Sequence, residues 1–350
     1  MTREDVEHDW SAASLATLAR AFETFVPGTE DDAPRRARLV ADTLTAAADH
    51  DELRLLRLAL RALELAPVPG LTAGRWGAFS RLDRDAREAV LRAWSTSPVP
   101  RLRTTYQVLK RLALFAAYAD EGGGAEPANP LWAAIGYQPA EPVTPPAPAV
   151  KPMTVERRGD GALELETDVL IVGSGAGGGI VAARIVAAGH AVLVVEQGPS
   201  VAESELPRTE GAAFRELFLD RGTTASADLA ISILAGSAVG GGTTLNWTTT
   251  LAPPGWLREE WASGHGLSGF DGPQTDADLE RLRRELDLQA PSTLPAKDRL
   301  ILDGAARLGW EAAPTERNAG PCVDCGSCTF GCRRGNKRSG PRAHLAAACA

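Results

Sequence analysis

The stretch Asp168-Val169-Leu170-Ile171-Val172-Gly173-Ser174-Gly175-Ala176-Gly177-Gly178 decides the fold of the chain's second part. The apolar run after Asp168 reads as a buried strand, with Leu163 and Leu165 extending the pattern upstream. The turn that follows is G-x-G-x-x-G. Gly173 permits a tight turn, Gly175 lets backbone amides approach a pyrophosphate, and Gly178 lets the next helix pack closely on the strand. Ser174 and Ala176 share that cradle. Ile180 to Ala188 reads as a helix, whose N-terminus supplies partial positive charge. Ala191-Val192-Leu193-Val194-Val195 reads as a parallel second strand and ends at Glu196. A carboxylate there accepts bonds from ribose hydroxyls and repels a 2′-phosphate, which disfavours NADP. The whole is a βαβ unit with a dinucleotide as its expected ligand; a Gly-rich structural turn is the alternative.

Upstream, the periodicity is helical. Leu15, Leu18, Phe22, Phe25 and Val26 recur on one face until Pro27-Gly28. Leu39 to Leu63 continues the pattern with a break near Asp49-His50-Asp51, and Pro67-Val68-Pro69-Gly70 ends it. Two more helices are expected around Asp83 to Trp94 and Leu102 to Tyr118, followed by Gly122-Gly123-Gly124. These apolar positions are expected to form a helical core rather than a ligand box. Residues 138–152 carry Pro139, Pro142, Pro145, Pro146, Pro148 and Pro152, which predicts an extended linker. The division read from the sequence is a helical domain over 1–137, the linker over 138–152 and a cofactor-binding domain over 153–350.

Composition narrows the function. The chain has 350 residues, 44% apolar and 23% charged, with ample material for a core. A net charge of −8 with no basic stripe argues against a nucleic-acid partner. The basic residues are nearly all Arg; the lysines are Lys110, Lys151, Lys297 and Lys337. Val169 to Val195 is apolar, but Arg184, His190 and its glycines argue against a transmembrane span. The acidic start MTREDVEHDW shows no secretory signal, so a cytoplasmic or membrane-peripheral location is expected.

A second glycine-rich segment runs Gly236-Ser237-Ala238-Val239-Gly240-Gly241-Gly242-Thr243-Thr244-Leu245-Asn246-Trp247. Successive glycines followed by threonines and Asn suit a backbone lying against a flat ring system. From Val239 to Asn246 it resembles the V-G-G-G-[ST]-x-x-N segment of the glucose–methanol–choline family of FAD oxidoreductases. With Ser237 and Trp247 it is similar to the long-chain fatty alcohol oxidase branch, as are Trp256, Trp261, His265-Gly266-Leu267 and the cysteine run below. The N-terminal part, including Leu131 to Tyr137, more loosely resembles the small subunit of gluconate 2-dehydrogenase.

The resemblance implies an α/β, Rossmann-like FAD-binding domain of that type, incomplete in this chain, preceded by an all-α domain. It implies FAD held by Gly173, Ser174, Gly175, Ala176, Gly178, Glu196, Gly241, Gly242 and Asn246. It further implies oxidation of a primary, long-chain or apolar alcohol, with electrons passing to oxygen or to an external acceptor such as a protein. The family's catalytic His is expected beyond Ala350; none of His8, His50, His190, His265 and His344 has its neighbours, and no catalytic residue is named. Rival readings are a flavin–iron–sulfur dehydrogenase acting on a sugar or other non-alcohol and an inactive fragment.

Four of the five cysteines form Cys322-x2-Cys325-x2-Cys328-x3-Cys332. This is the bacterial ferredoxin spacing, with Gly326 and Gly331 for turns, though Arg333 stands where ferredoxins carry Pro. An iron–sulfur cluster, a structural zinc and a free-thiol loop near the flavin all remain open for these four candidate metal ligands. Arg333, Arg334, Lys337 and Arg338 follow, either screening a cluster or forming a solvated basic loop.

Overall fold

The computed structural model describes residues 10–47, 50–121, 129–143, 150, 164–226 and 231–349. Most of the described chain is helical, with one small parallel sheet. The first stretch folds as α1 (Ala12–Phe25), α2 (Ala33–Ala47), α3 (His50–Glu64), α4 (Pro67–Ala73), α5 (Arg84–Ser95), α6 (Pro100–Ala119) and α7 (Pro130–Ile135). Then come β1 (Val169–Val172), α8 (Ala176–Ala187), β2 (Val192–Val195) and α9 (Glu210–Leu217). After these lie the one-turn α10 (Gly242–Leu245), α11 (Gly255–Gly264), α12 (Pro273–Glu285), α13 (Ala296–Leu308) and α14 (Ala346–Ala348). Of the Pro-rich stretch, residues 144–149 and 151–152 lie outside the described residues, as do His8, Gly122-Gly123-Gly124 and Leu163. No helix among the described residues is long and apolar enough to cross a membrane.

The chain divides into two compact units. Unit 1 holds the described residues of Met1–Pro139 and Thr209–Ala235; unit 2 holds those of Ala140–Arg208 and Gly236–Ala350. Thr209–Ala235, placed by the sequence in the cofactor-binding part, thus clusters with the helices. The reason is aromatic packing: Phe214 meets Phe115 of α6 edge-on at 5.5 Å and stacks on Phe218 at 4.6 Å.

In unit 1 the helix starts follow local chemistry. The Ser11 hydroxyl caps α1 by accepting from the Ser14 N–H at 3.1 Å, and the Asp83 carboxylate caps α5 by accepting from the Ala86 N–H at 2.8 Å. Pro100 opens α6 where its missing N–H costs nothing. Leu18, Phe22, Val40, Leu63, Val90 and Trp94 meet in one apolar core. Two charged pairs share that interior, Glu23 with Arg87 at 2.5 Å and Asp120 with Arg36 at 3.1 Å. Each carboxylate also meets a second, more exposed arginine, Arg20 beside Glu23 and Arg35 beside Asp120.

In unit 2, β1 and β2 pair in parallel, Val169 opposite Val192 through Val172 opposite Val195. The Asp168 carboxylate accepts from the Ala191 N–H at 2.8 Å and so fixes the start of the ladder. β1 is not buried on both sides as its composition predicts: Leu170 is 57% and Val172 81% exposed. The pleat explains the pattern. Ile171 faces α8, within reach of Gly178, so Leu170 and Val172 must point to the opposite face, away from α8.

Candidate functional site

The site grows from the β1–α8 turn. Gly173 (φ 92°) turns the chain out of β1, and Gly175 forms the N-cap of α8. A Cβ on Gly178 would overlap the Gly173 carbonyl oxygen, so only glycine lets α8 pack this close to the turn. Around Gly175 and Gly177 a Cβ would meet nothing within 4 Å. The mouth of the loop is therefore open, with the N-terminal amides of α8 beside it.

Ser174 and Glu196 close the loop from within. Ser174 is 2% exposed. Its N–H and its hydroxyl both donate to Glu196 Oε2, at 2.8 and 2.6 Å, and Glu196 Oε1 accepts from the Gly198 N–H at 2.9 Å. Partial burial pushes the Glu196 carboxyl up, but the bonds from the Ser174 hydroxyl and from loop amides outweigh it, leaving the pKa lowered. Glu196 thus organises the cradle as well as standing at the end of β2, where the sequence places a ribose acceptor.

The second glycine-rich segment meets the first. The Gly240 N–H donates to the Ser174 hydroxyl at 2.9 Å, and a Cβ on Gly241 would stand 3.2 Å from Gly175 Cα. Val239 N–H donates to the Pro199 carbonyl at 3.0 Å, tying the segment to the chain after β2. Thr243 and Thr244 turn their hydroxyls inward, to the Gly240 carbonyl at 2.5 Å and the Val239 carbonyl at 2.8 Å. Gly242 starts α10, and Asn246 follows its end with an exposed side chain whose Oδ1 accepts from the Thr248 N–H at 3.2 Å. Gly173, Ser174, Gly175, Glu196 and Gly241 are thus brought together, with Gly178 behind the turn and Ala176 in the first turn of α8. Asn246 lies at the far end of α10. The open face of the first turn, with glycines at Gly175 and Gly177 beside the N-terminal amides of α8, fits a pyrophosphate.

The four cysteines are not gathered into a metal centre. Among the described residues no group of three or more His, Cys, Asp or Glu side chains is placed to hold a metal ion. Cys325 is exposed with its sulfur 3.2 Å from the Ser327 hydroxyl, while Cys322 Sγ accepts from the Asp324 N–H at 3.4 Å. The set Cys322, Cys325, Cys328 and Cys332 therefore does not fit a cluster as placed, and all four thiols are free. Burial raises the Cys328 pKa, against the nearby Lys337 ammonium.

Of the basic run after Cys332, only Arg334 is exposed. Arg333 donates to the Leu206 and Ser204 carbonyls, and Arg338 to the Glu285 carbonyl. Lys337 is 2% exposed, and its ammonium donates to the carbonyls of Thr244 (2.9 Å), Asn246 (2.7 Å) and Cys328 (2.9 Å). Burial lowers its pKa to about 8, against the nearby cysteine sulfurs. Sequence reasoning named this residue only within the basic run and missed its carbonyl partners. The one available signal was a lysine kept in a chain that otherwise uses arginine. Lys337 also lines a pocket of about 300 Å³ with Val239, Thr244, Cys332 and Arg342.

Comparison with known proteins bears on the second of the two glycine-rich segments. Residues 214–350 match the GMC (glucose–methanol–choline) oxidoreductase family. The chain carries a GMC oxidoreductase domain. Two long-chain-alcohol oxidases of Arabidopsis thaliana are similar to it, each 28% identical. One aligns over 309 residues, 74% of this chain and 42% of the relative, and the other over 317 residues, 82% and 42%. An uncharacterised GMC-type oxidoreductase of Mycobacterium tuberculosis is 33% identical over 284 residues, 79% of this chain and 43% of the relative. The chain spans less than half the length of these curated relatives. No solved structure matches it. The GMC match includes the second glycine-rich segment and the cysteine run; the first turn lies upstream, within unit 2.

Proposed function

We propose that unit 2 binds FAD in the cradle between the two glycine-rich segments, and that the protein oxidises a primary alcohol with a long or apolar chain to the aldehyde. The observation that carries this reading is the meeting of both segments on one hydroxyl, Ser174, which donates to Glu196 and accepts from Gly240. The α8 N-terminus, with the amides beside Gly175, holds the pyrophosphate by partial positive charge. Glu196 keeps acceptor capacity for ribose hydroxyls while its loop bonds fix its position. Gly241 and Gly242 let the backbone lie against the ring, and Asn246 marks the end of that surface. FAD, when bound, supplies a two-electron acceptor for the hydride leaving the alcohol carbon. Its reoxidation would need oxygen or an external acceptor, and the hydroxyl proton would leave to a base this chain is not shown to supply. The apolar alcohol comes from the likeness to long-chain-alcohol oxidases.

Titration of the cofactor-free protein with FAD, followed by flavin fluorescence and visible absorbance, tests the reading. Saturable uptake of one FAD is the expected result, and its anaerobic reduction by a long-chain primary alcohol is expected of a protein that also carries the histidine expected beyond Ala350. Protein that takes up no FAD refutes the cofactor assignment; bound FAD that only other substrates reduce refutes the alcohol assignment.

A further inference from the structure

We propose that Lys337 is a positioning residue for the cofactor: its three-carbonyl clamp sets the backbone of Val239–Asn246 in the form that receives FAD. The inference rests on the FAD reading of unit 2. Lys337 is itself held by a short ladder, with Ala319 opposite it, the Gly320 N–H donating to the Asn336 carbonyl at 3.1 Å and the Arg338 N–H to the Asn318 carbonyl at 2.8 Å. Its ammonium then reaches out of that ladder into two other backbones. Two of its acceptors, Thr244 and Asn246, lie at the end of α10, where carbonyls have no further helical turn to bond to. The third, Cys328, opens the 3₁₀ turn Cys328–Phe330 inside the cysteine run.

The chemistry suits lysine alone. An ammonium has three N–H bonds in a tetrahedral fan, and here each finds a carbonyl. Methionine matches the length but leaves carbonyls without donors in a dry site. Arginine keeps the charge, but its planar fork cannot aim three donors at one converging set. The clamp matters to the cofactor because α10 is a single turn, too short to hold its own shape. Its other end is fixed by the Gly240–Ser174 bond, and the Gly340 N–H grips the Thr243 hydroxyl at 2.8 Å. Releasing Lys337 frees the end that carries Asn246. The clamp also gives the cysteine run a role that needs no metal: it supplies one wall of the clamp.

The test compares Lys337→Met and Lys337→Arg with wild type in the full 350-residue chain. Hydrogen exchange of the Gly240–Asn246 amides is measured without cofactor, and FAD affinity and the visible circular dichroism of bound flavin with it. Lys337→Met is expected to speed exchange in that segment tenfold or more, weaken FAD tenfold or more, and alter the flavin dichroism. Lys337→Arg, the variant that keeps the charge should Met not fold, is expected to show the same losses in smaller measure. Wild-type exchange at Gly240–Asn246 in a folded variant overturns the proposal, as does unchanged FAD affinity and dichroism. Exchange that rises uniformly through unit 2 also overturns it, because that assigns Lys337 to general scaffolding. If wild type takes up no FAD, the FAD reading fails by itself, and the exchange measurement alone decides whether the clamp exists.

Discussion

Ser174→Ala removes one oxygen from a site where that oxygen serves two partners. The hydroxyl donates to the Glu196 carboxylate at 2.6 Å and accepts from the Gly240 N–H at 2.9 Å. A hydrogen bond to a charged group is worth about 1.5–3 kcal/mol, and a buried N–H left unpaired costs about 1–3 kcal/mol. Glu196 is half-exposed, so its share belongs at the low end. The expected loss is therefore about 2.5–4.5 kcal/mol in the stability of unit 2, with almost no change of volume to confuse it. Urea titration read by hydrogen exchange at the amides of β1 and α8 reports that unit separately from the helical one. A double-mutant cycle with Glu196→Gln isolates the pair: the two losses should fall short of additive by roughly 1 kcal/mol. FAD affinity should drop with the same substitution, because Gly240 and Glu196 both lose their fixed point. A Ser174→Ala protein within about 0.5 kcal/mol of wild type, with no coupling to Glu196, would refute the idea that one hydroxyl joins the two segments.

Gly178→Ala should weaken both folding and FAD uptake, since its Cβ would overlap the Gly173 carbonyl oxygen; a cost of about 1–3 kcal/mol, measured by urea unfolding, is the expectation for forced overpacking. Trp94→Ala in the unit 1 core, where Trp94 also donates to the Thr72 hydroxyl at 3.2 Å, should cost about 3–5 kcal/mol while leaving FAD affinity unchanged. The lowered pKa of Glu196 sets an acid dependence: its stabilising effect is complete above the usual carboxylate value of 4.5 and is lost as pH falls through the folded value below it. Glu196→Gln should flatten stability against pH in that acid window, and an unchanged slope would show that the carboxylate is not held by the loop. Prolonged chelation should leave the unfolding midpoint where it was, because the four cysteines are not placed around a metal.

The sequence made the βαβ unit readable because each step leaves a local mark: an apolar run, a glycine turn, a helical stretch, a second run and an acid. Helices α1, α5 and α6 were readable for the same reason, from their apolar periodicity and, for α1, the Pro27-Gly28 stop; their Ser11 and Asp83 caps emerged only with the fold. What the sequence could not show lies between distant segments. That Thr209–Ala235 packs with helices follows from Phe115 meeting Phe214, and no local pattern announces such a contact. The exposure of Leu170 and Val172 depends on what covers a sheet, which strand composition does not encode. The cysteine spacing matched a ligand pattern, yet spacing fixes only separation along the chain. Sulfur positions depend on side-chain directions, and here Cys325 turns to Ser327 while Cys322 turns to Asp324.

Lys337 shows most clearly why a chemical reading of residue types falls short. Read along the chain, it belongs to a run with Arg333, Arg334 and Arg338, and a run of positive charge is ordinarily solvated. The fold separates its members: Arg333 and Arg338 brace carbonyls elsewhere in unit 2, and Lys337 alone is drawn inside to Thr244, Asn246 and Cys328. No carboxylate is among those three partners. Carbonyl dipoles stabilise its charge, and burial lowers its pKa even though its hydrogen bonds are complete. A buried ammonium among carbonyls is costly unless the backbone it orders is needed in one form. The backbone it orders is the segment against which the flat ring of a cofactor is expected to lie, so the lysine and the glycines answer the same requirement from opposite sides: the glycines clear the space, and the lysine keeps it clear.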